Sequence, residues 1–396
     1  TPGPRITNAL LYQLSYISIT DDSYRILAFA QKVKGPEKNF LLEFVAQAAG
    51  NLGGCRRDGW VCYNGNKRSR QEGSDMKLTV EPLAAKSILN PVRAPSMPFA
   101  WSINPYRGCQ HGCSFCYARG THAFLDKPAD DTFQRHIFWK AGAPDLLRRE
   151  LARLAQAGKR PEHVAIGTAT DPYQPLEAKT RLTRGCLEAL AEFGVPFSIT
   201  TRSPLVLRDL DILRAAPVQS VNISLHTLDA SIWRQFEPAT PAPAARLAAI
   251  AELADAGVPV QVFMAPVLPY LTDTAETAAA VGEACKARGA NGVMVQFLRL
   301  STPEVKVWFF ATLQRHYPNL APLYGRLYHR SAHPPETYRR RARARMEAEL
   351  RRCGLLRPDA GKPPGSGRPA ADAIAVGSTG ERPPEAVCSP VQLTLF

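Results

Sequence analysis

The sequence predicts an α/β fold in which strand–helix units repeat around a parallel sheet. Short apolar runs at 164–167, 197–200, 221–225, 260–265 and 293–297 alternate with Ala/Leu-rich helical patterns at 143–157, 183–193, 208–215, 243–256 and 273–288. Runs of 4–6 residues between helices of 8–16 residues read as βα units. Composition agrees: 45% of the 396 residues are hydrophobic and 21% charged, enough to bury one large or two moderate cores.

A sixth strand is expected upstream, at 99–103, and it runs into Cys109, Cys113 and Cys116, three cysteines within eight residues. Thiolates are soft ligands suited to an iron–sulfur cluster or to zinc. A structural zinc asks for four protein ligands, so that reading needs His111 or His122 as the fourth. A cluster held by three cysteines leaves one iron open. Unliganded thiols are the third possibility. In a parallel barrel, chemistry gathers where strands end, so the residues following each run matter. The second run leads into Asp171, which with Pro172 also suits a plain turn. The third leads into Arg202, a bidentate carboxylate partner or an ordinary rim cation. In the fourth, alternation puts Asn222, Ser224 and His226 on one face and Ile223 and Leu225 on the other. His226 there is an acid, base or substrate anchor, or a satisfied structural histidine. Cys186 and Cys285 fall in helical patterns and are expected to pack as small hydrophobes.

The cysteine stretch, NPYRGCQHGCSFCYAR, resembles the CxxxCxxC signature of the radical S-adenosylmethionine (radical SAM) superfamily, and its flanks resemble the spore photoproduct lyase-like, DNA-repair photolyase-related branch. TDPYQPLE and APVLP resemble the same branch. The resemblance implies an incomplete (β/α)6 TIM-like barrel over 76–300 with a C-terminal helical cap over 301–356. It implies a 4Fe-4S cluster on Cys109, Cys113 and Cys116, with S-adenosylmethionine at the open iron. One electron, from a donor such as flavodoxin or ferredoxin, then releases a 5′-deoxyadenosyl radical. Where much of the superfamily has a Gly-Gly-Glu for the methionine amino group, Asp171 or exposed backbone carbonyls have to replace the Glu. Arg202 is placed for the cofactor carboxylate, Ser224 for the ribose and His226 in the lumen. Tyr270 stands where the family pattern carries a Gly. No cysteine is recognisable as a hydrogen-atom donor, so lyase activity itself is not implied. Residues 1–75 hold two apolar patches and a Gly/Arg/Asn-rich stretch before Met76, where the family-like sequence begins. They are expected to be an upstream extension, or else a small accessory segment.

Nine cysteines, an odd number with three clustered, argue against a disulfide scaffold and for a cytoplasmic setting. No apolar run reaches the ~18 residues of a membrane span. The net charge of +14 favours polyanions, and nucleic acid is the expected substrate class. Residues 338–352 carry seven arginines against two glutamates, some at helical spacing, such as Arg339 with Arg343 and Arg341 with Arg345. They form either a phosphate-binding ridge or a solvated face. From 357 the composition turns to Pro, Gly and Ala, a flexible tail. It ends in Gln392, Leu393, Thr394, Leu395 and Phe396, which resembles the peptide that docks bacterial proteins on the DNA sliding clamp. The competing reading of the whole is a zinc-stapled nucleic-acid-binding protein or clamp-associated repair adaptor without radical chemistry.

Overall fold

The computed structural model describes residues 78–93 and 97–356. Its strands are β1 (Thr79–Pro82), β2 (Leu89–Pro91), β3 (Trp101–Ile103), β4 (Tyr106–Arg107), β5 (His136–Trp139), β6 (Val164–Ile166), β7 (Phe197–Thr201), β8 (Val218–Ser224), β9 (Val260–Val267) and β10 (Gly292–Phe297). Seven of them make one sheet in the order β10-β9-β8-β7-β6-β3-β2. All neighbours from β3 to β10 run parallel, and only β2 is antiparallel, against β3. The six parallel strands are the six expected runs, and the sheet stops at β10 and β2 instead of closing, an incomplete barrel.

Helices Ala143–Gln156, Leu182–Glu192, Leu210–Ala215, Pro243–Asp255 and Ala275–Lys286 fill the crossovers. Their apolar stripes meet strand residues such as Val164, Ile199, Val221 and Val262 in one core. The strand faces that meet the helices are apolar, while the other face carries polar residues such as Ser198, Asn222 and Ser224. Cys186 and Cys285 are free thiols fully inside that core, as expected.

Three features were not legible beforehand. A small second sheet, ordered β1-β5-β4, brackets the cysteines: β4 leads into them and β5 receives the chain afterwards. Strands of 2–4 residues are too short to leave a pattern. Helix Ala230–Phe236, at 7 residues, is also too short to show a stripe. The C-terminal helices also divide their packing. Pro303–His316 and Ala321–Leu327 join a second core with Phe115, Phe236 and Leu298, over the cysteines. Glu336–Arg352 instead buries Ala342, Met346 and Leu350 in the barrel core. It also shields the last strand: Arg343 Nη1 donates to Val295 O at 2.8 Å, and Val293 N donates to Leu355 O at 3.1 Å. Covering an open sheet edge in this way prevents pairing with other chains.

Among the described residues no helix is long and apolar enough to cross a membrane. Residues 1–75 and the tail with Gln392, Leu393, Leu395 and Phe396 lie outside the described residues.

Candidate active site

The cysteine loop begins at Gly108, whose φ of 78° is left-handed; a Cβ there would sit 2.7 Å from His136 O and 2.8 Å from Phe133 O. Only glycine lets the chain pass those carbonyls. Gly112 (φ 61°) makes the second turn. Backbone bonds then fix the loop: Cys109 N to Phe133 O at 3.0 Å and Ser114 N to Phe236 O at 2.9 Å. The loop after β6 holds it from the side. Gln174 accepts from Gln110 N (3.0 Å) and donates to Gly108 O (3.3 Å), and Gln110 Oε1 accepts from Leu176 N (2.7 Å).

All three thiols are free; Cys109 and Cys113 are buried and Cys116 half-buried. Burial raises the Cys109 thiol pKa well above its ordinary value, with Asp171, Cys113 and Cys116 adding to the effect. Burial pushes Cys113 up to about 12, with Arg202 pulling the other way. Two such thiols ionise only against strong positive charge, which cluster irons would supply. Among the described residues no three His, Cys, Asp or Glu side chains gather tightly enough to hold a single metal ion. His122 makes a poor fourth ligand, because its Nε2 already lies 3.3 Å from His136 O and its ring packs edge-on to Phe133. The donor set fits a cluster.

The strand-end residues lie around this loop. Asp171 is 9% exposed. Its Oδ1 accepts from Tyr173 N (2.9 Å) and Thr201 Oγ1 (2.6 Å), and its Oδ2 accepts from Arg202 N (2.7 Å). It thus ties the end of β6 to the end of β7. Arg202 donates through Nε to Glu237 Oε1 at 2.7 Å and through Nη2 to Ala265 O at 3.3 Å, and its guanidinium lies 5.7 Å from the Phe115 ring centre. Ser224 and His226 are both buried at the end of β8. His226 meets Phe115 edge-on at 5.4 Å; its Nδ1 is 3.8 Å from Glu237 Oε2, and its Nε2 has no hydrogen-bond partner. Burial holds its pKa down at about 4, so the ring is neutral near pH 7. His111 is also buried, with both ring nitrogens lacking hydrogen bonds and Nε2 3.9 Å from Asp171.

What joins these residues is a group that sequence reasoning missed. Glu237, 1% exposed, takes Arg202 on one oxygen and Arg246 Nη2 on the other at 2.6 Å. Arg246 is itself buried and donates to Ser224 O at 2.9 Å and Pro241 O at 2.9 Å. The two guanidiniums and His226 hold the Glu237 carboxyl far below the ordinary carboxylate range despite its burial. One signal was present: Arg246 occupies the stripe Pro243, Arg246, Leu247, Ile250, Leu253 that helix Pro243–Asp255 buries. An arginine in an apolar stripe needs a buried acceptor.

Tyr270 explains its departure from the family pattern. Its φ of 63° keeps a glycine-like backbone, and its ring packs edge-on to Tyr324 and Tyr338. A cavity of about 250 Å³ lined by Leu151, Lys159, Phe193 and Val195 lies at the opposite, N-terminal end of the sheet and takes no part in the site.

The radical SAM superfamily model matches residues 103–280, from β3 into the helix after β9. An uncharacterised protein of Mycobacterium tuberculosis (strain ATCC 25618 / H37Rv) is 38% identical over 325 residues, covering 81% of this chain and 88% of that protein. The radical SAM Nalpha-GlyT isomerase of Pseudomonas phage M6 is 25% identical over 219 residues, covering 55% of this chain and 42% of that one. Among solved structures, a spore photoproduct lyase variant with bound AdoMet and dinucleoside spore photoproduct shares the fold, with TM-score 0.52 and 13% identity over 83% of this chain and 94% of that one. A matched model spanning the cysteine loop leads to one conclusion: the chain belongs to the radical SAM superfamily, and its barrel shares the fold of spore photoproduct lyase.

Proposed function

We propose that this radical SAM enzyme uses its 4Fe-4S cluster and S-adenosylmethionine to act on a nucleic-acid-linked substrate in the cytoplasm, with Cys109, Cys113 and Cys116 as the cluster ligands. The observation that carries the reading is three free thiols on one loop, close enough for Cys113 and Cys116 to act on the Cys109 thiol, at the strand-end mouth of an incomplete parallel barrel. When bound and reduced, the cofactor pair supplies a 5′-deoxyadenosyl radical. The protein's own part is orientation. Arg202, held at Nε by Glu237, keeps its Nη1 edge for the carboxylate of S-adenosylmethionine. Ser224 Oγ serves the ribose. Asp171, whose oxygens already hold Tyr173, Thr201 and Arg202, acts mainly by fixing Arg202. His226 is neutral and presents a free Nε2, so it accepts or donates one hydrogen bond without adding charge.

The nucleic-acid part rests on the net charge of +14 and on a structural neighbour solved with a dinucleoside. The expected basic ridge contributes less than its arginine count suggests. Arg339, Arg343, Arg351 and Arg352 are paired with Glu336, Glu347 and Glu349 on their own helix. Arg340, Arg341 and Arg345 remain exposed. Comparing modified nucleosides in tRNA and DNA from cells with and without the protein tests the substrate class. A nucleoside whose level depends on the protein and is lost with Cys113→Ser supports it; nucleosides unchanged alongside an altered small metabolite overturn it.

A further inference from the structure

Arg119 lies three residues past Cys116, in the 3-10 helix Tyr117–Leu125, and is fully buried. A cation in that position ordinarily has a carboxylate. Among the described residues none forms an ion pair with it. Its donors go instead to neutral oxygens: Nε to Cys113 O (3.2 Å), Nη2 to Gly112 O (3.0 Å) and Gln134 Oε1 (2.6 Å), and Nη1 to Asp130 O (2.8 Å). Its guanidinium carbon lies 4.4 Å from the ring centre of Trp308, on the first helix of the C-terminal segment, and 5.4 Å from that of Phe133. Two of the four acceptors belong to the cysteine loop itself. The side chain therefore crosses behind the loop, gripping the backbone on either side of the middle cysteine, and Trp308 closes it off from water.

We infer that Arg119 is the fixed counter-charge of the iron–sulfur cluster, a positioning residue that both shapes the cysteine loop and favours the reduced form. This rests on the ligand assignment above. The charge argument is direct. Three thiolates and the cluster together are anionic, and a low-potential one-electron donor makes them more negative by one charge, with no bond made or broken. Arg119 keeps its proton throughout, because a guanidinium does not titrate in this range. In a site shut off from water its attraction is weakly screened and grows with each added negative charge. It thus acts more strongly on the reduced state than on the oxidised one. Asp131, the carboxylate whose charge acts on Arg119, is engaged by Gln134 Nε2 at 2.7 Å and Arg135 at 3.7 Å.

The test uses full-length protein reconstituted anaerobically with iron and sulfide, with iron content and the cluster midpoint potential read by dithionite titration under electron paramagnetic resonance. Arg119→Met removes the charge and keeps an apolar stem between Trp308 and Phe133. Arg119→Lys keeps the charge but cannot reach four acceptors. The Lys variant is expected to lose part of its iron yet keep a midpoint near wild type in the fraction that remains. The Met variant is expected to become at least tenfold harder to reduce, about 59 mV lower for a one-electron couple. If Met fails to hold any cluster, Trp308→Leu, which admits water to the guanidinium, is expected to lower the midpoint while retaining iron. Midpoints that stay at the wild-type value in every variant that holds iron overturn the inference. Wild-type protein that takes up no cluster, or a Cys113→Ser variant with full iron content, overturns the ligand assignment instead.

Discussion

Replacing Glu237 by Gln removes one buried negative charge from between two guanidiniums, Arg246 buried and Arg202 half-buried. In the native protein the carboxylate is 1% exposed and receives Arg202 Nε at 2.7 Å and Arg246 Nη2 at 2.6 Å. Gln has the same shape but offers one carbonyl oxygen, so its amide group must face one of the arginines donor to donor. Breaking a buried pair from one side typically costs about 3–5 kcal/mol, because the stranded charge keeps its desolvation penalty. Arg246 also holds Ser224 O, and Arg202 holds Ala265 O, so the loss falls on the ends of β8 and β9. Urea unfolding of Glu237→Gln beside wild type, both reconstituted anaerobically, is expected to show a loss in that range. The triple variant Arg202→Met, Glu237→Leu, Arg246→Met is expected to regain much of it, since apolar side chains of similar volume carry no stranded charge. A loss under about 1 kcal/mol for Glu237→Gln refutes the claim that this carboxylate organises the site.

Three other outcomes are expected. Gly108→Ala should abolish cluster retention while far-ultraviolet circular dichroism stays native, because the new Cβ meets two backbone carbonyls at 2.7 and 2.8 Å; wild-type iron content would contradict this. Stability should fall as pH drops from about 6.5 to about 4, because burial holds His226 and His122 down at about 4 in the folded chain. The unfolded chain then takes up protons first, at a cost on the order of 3 kcal/mol per histidine. Arg202, Arg246 and Glu237 surround His226, and acid below the ordinary carboxylate range further weakens the Glu237 pairs. His226→Gln should flatten the slope, and an unchanged slope would show the ring is not buried neutral. Deleting residues 392–396, with Gln392, Leu393, Leu395 and Phe396, should remove capture by an immobilised sliding clamp. Three apolar side chains at roughly 1.5–3 kcal/mol each, less ordering costs, make a weak tether. Capture unchanged by the deletion removes that partner.

The barrel was legible because its strands bury short apolar runs against the helices between them. Runs such as Val260–Val267 are apolar except for Gln261, and that one is followed by a helix long enough to show its stripe. The cysteines were legible because ligand spacing is local. The support of the loop was not, because its contacts are long-range and use ordinary residues. Gln174 reaches 64 residues back to Gln110, and Arg202 reaches 35 forward to Glu237. Nothing in the local sequence of a glutamine or glutamate announces such a partner. Asp171 and Arg202 were picked out at the right strand ends, yet the structure engages them with each other and with Glu237, which changes how they serve a cofactor. Arg119 looked like one more arginine in a basic chain, and only its burial sets it apart.

The central claim is that Cys109, Cys113 and Cys116 hold a cluster that cleaves S-adenosylmethionine on reduction. Full-length protein reconstituted anaerobically, reduced with dithionite and given S-adenosylmethionine, tests it when 5′-deoxyadenosine is quantified by mass spectrometry. The account predicts brown protein that yields 5′-deoxyadenosine, and a Cys113→Ser variant that yields none and loses its iron. Colourless protein with stoichiometric zinc and no 5′-deoxyadenosine would contradict it.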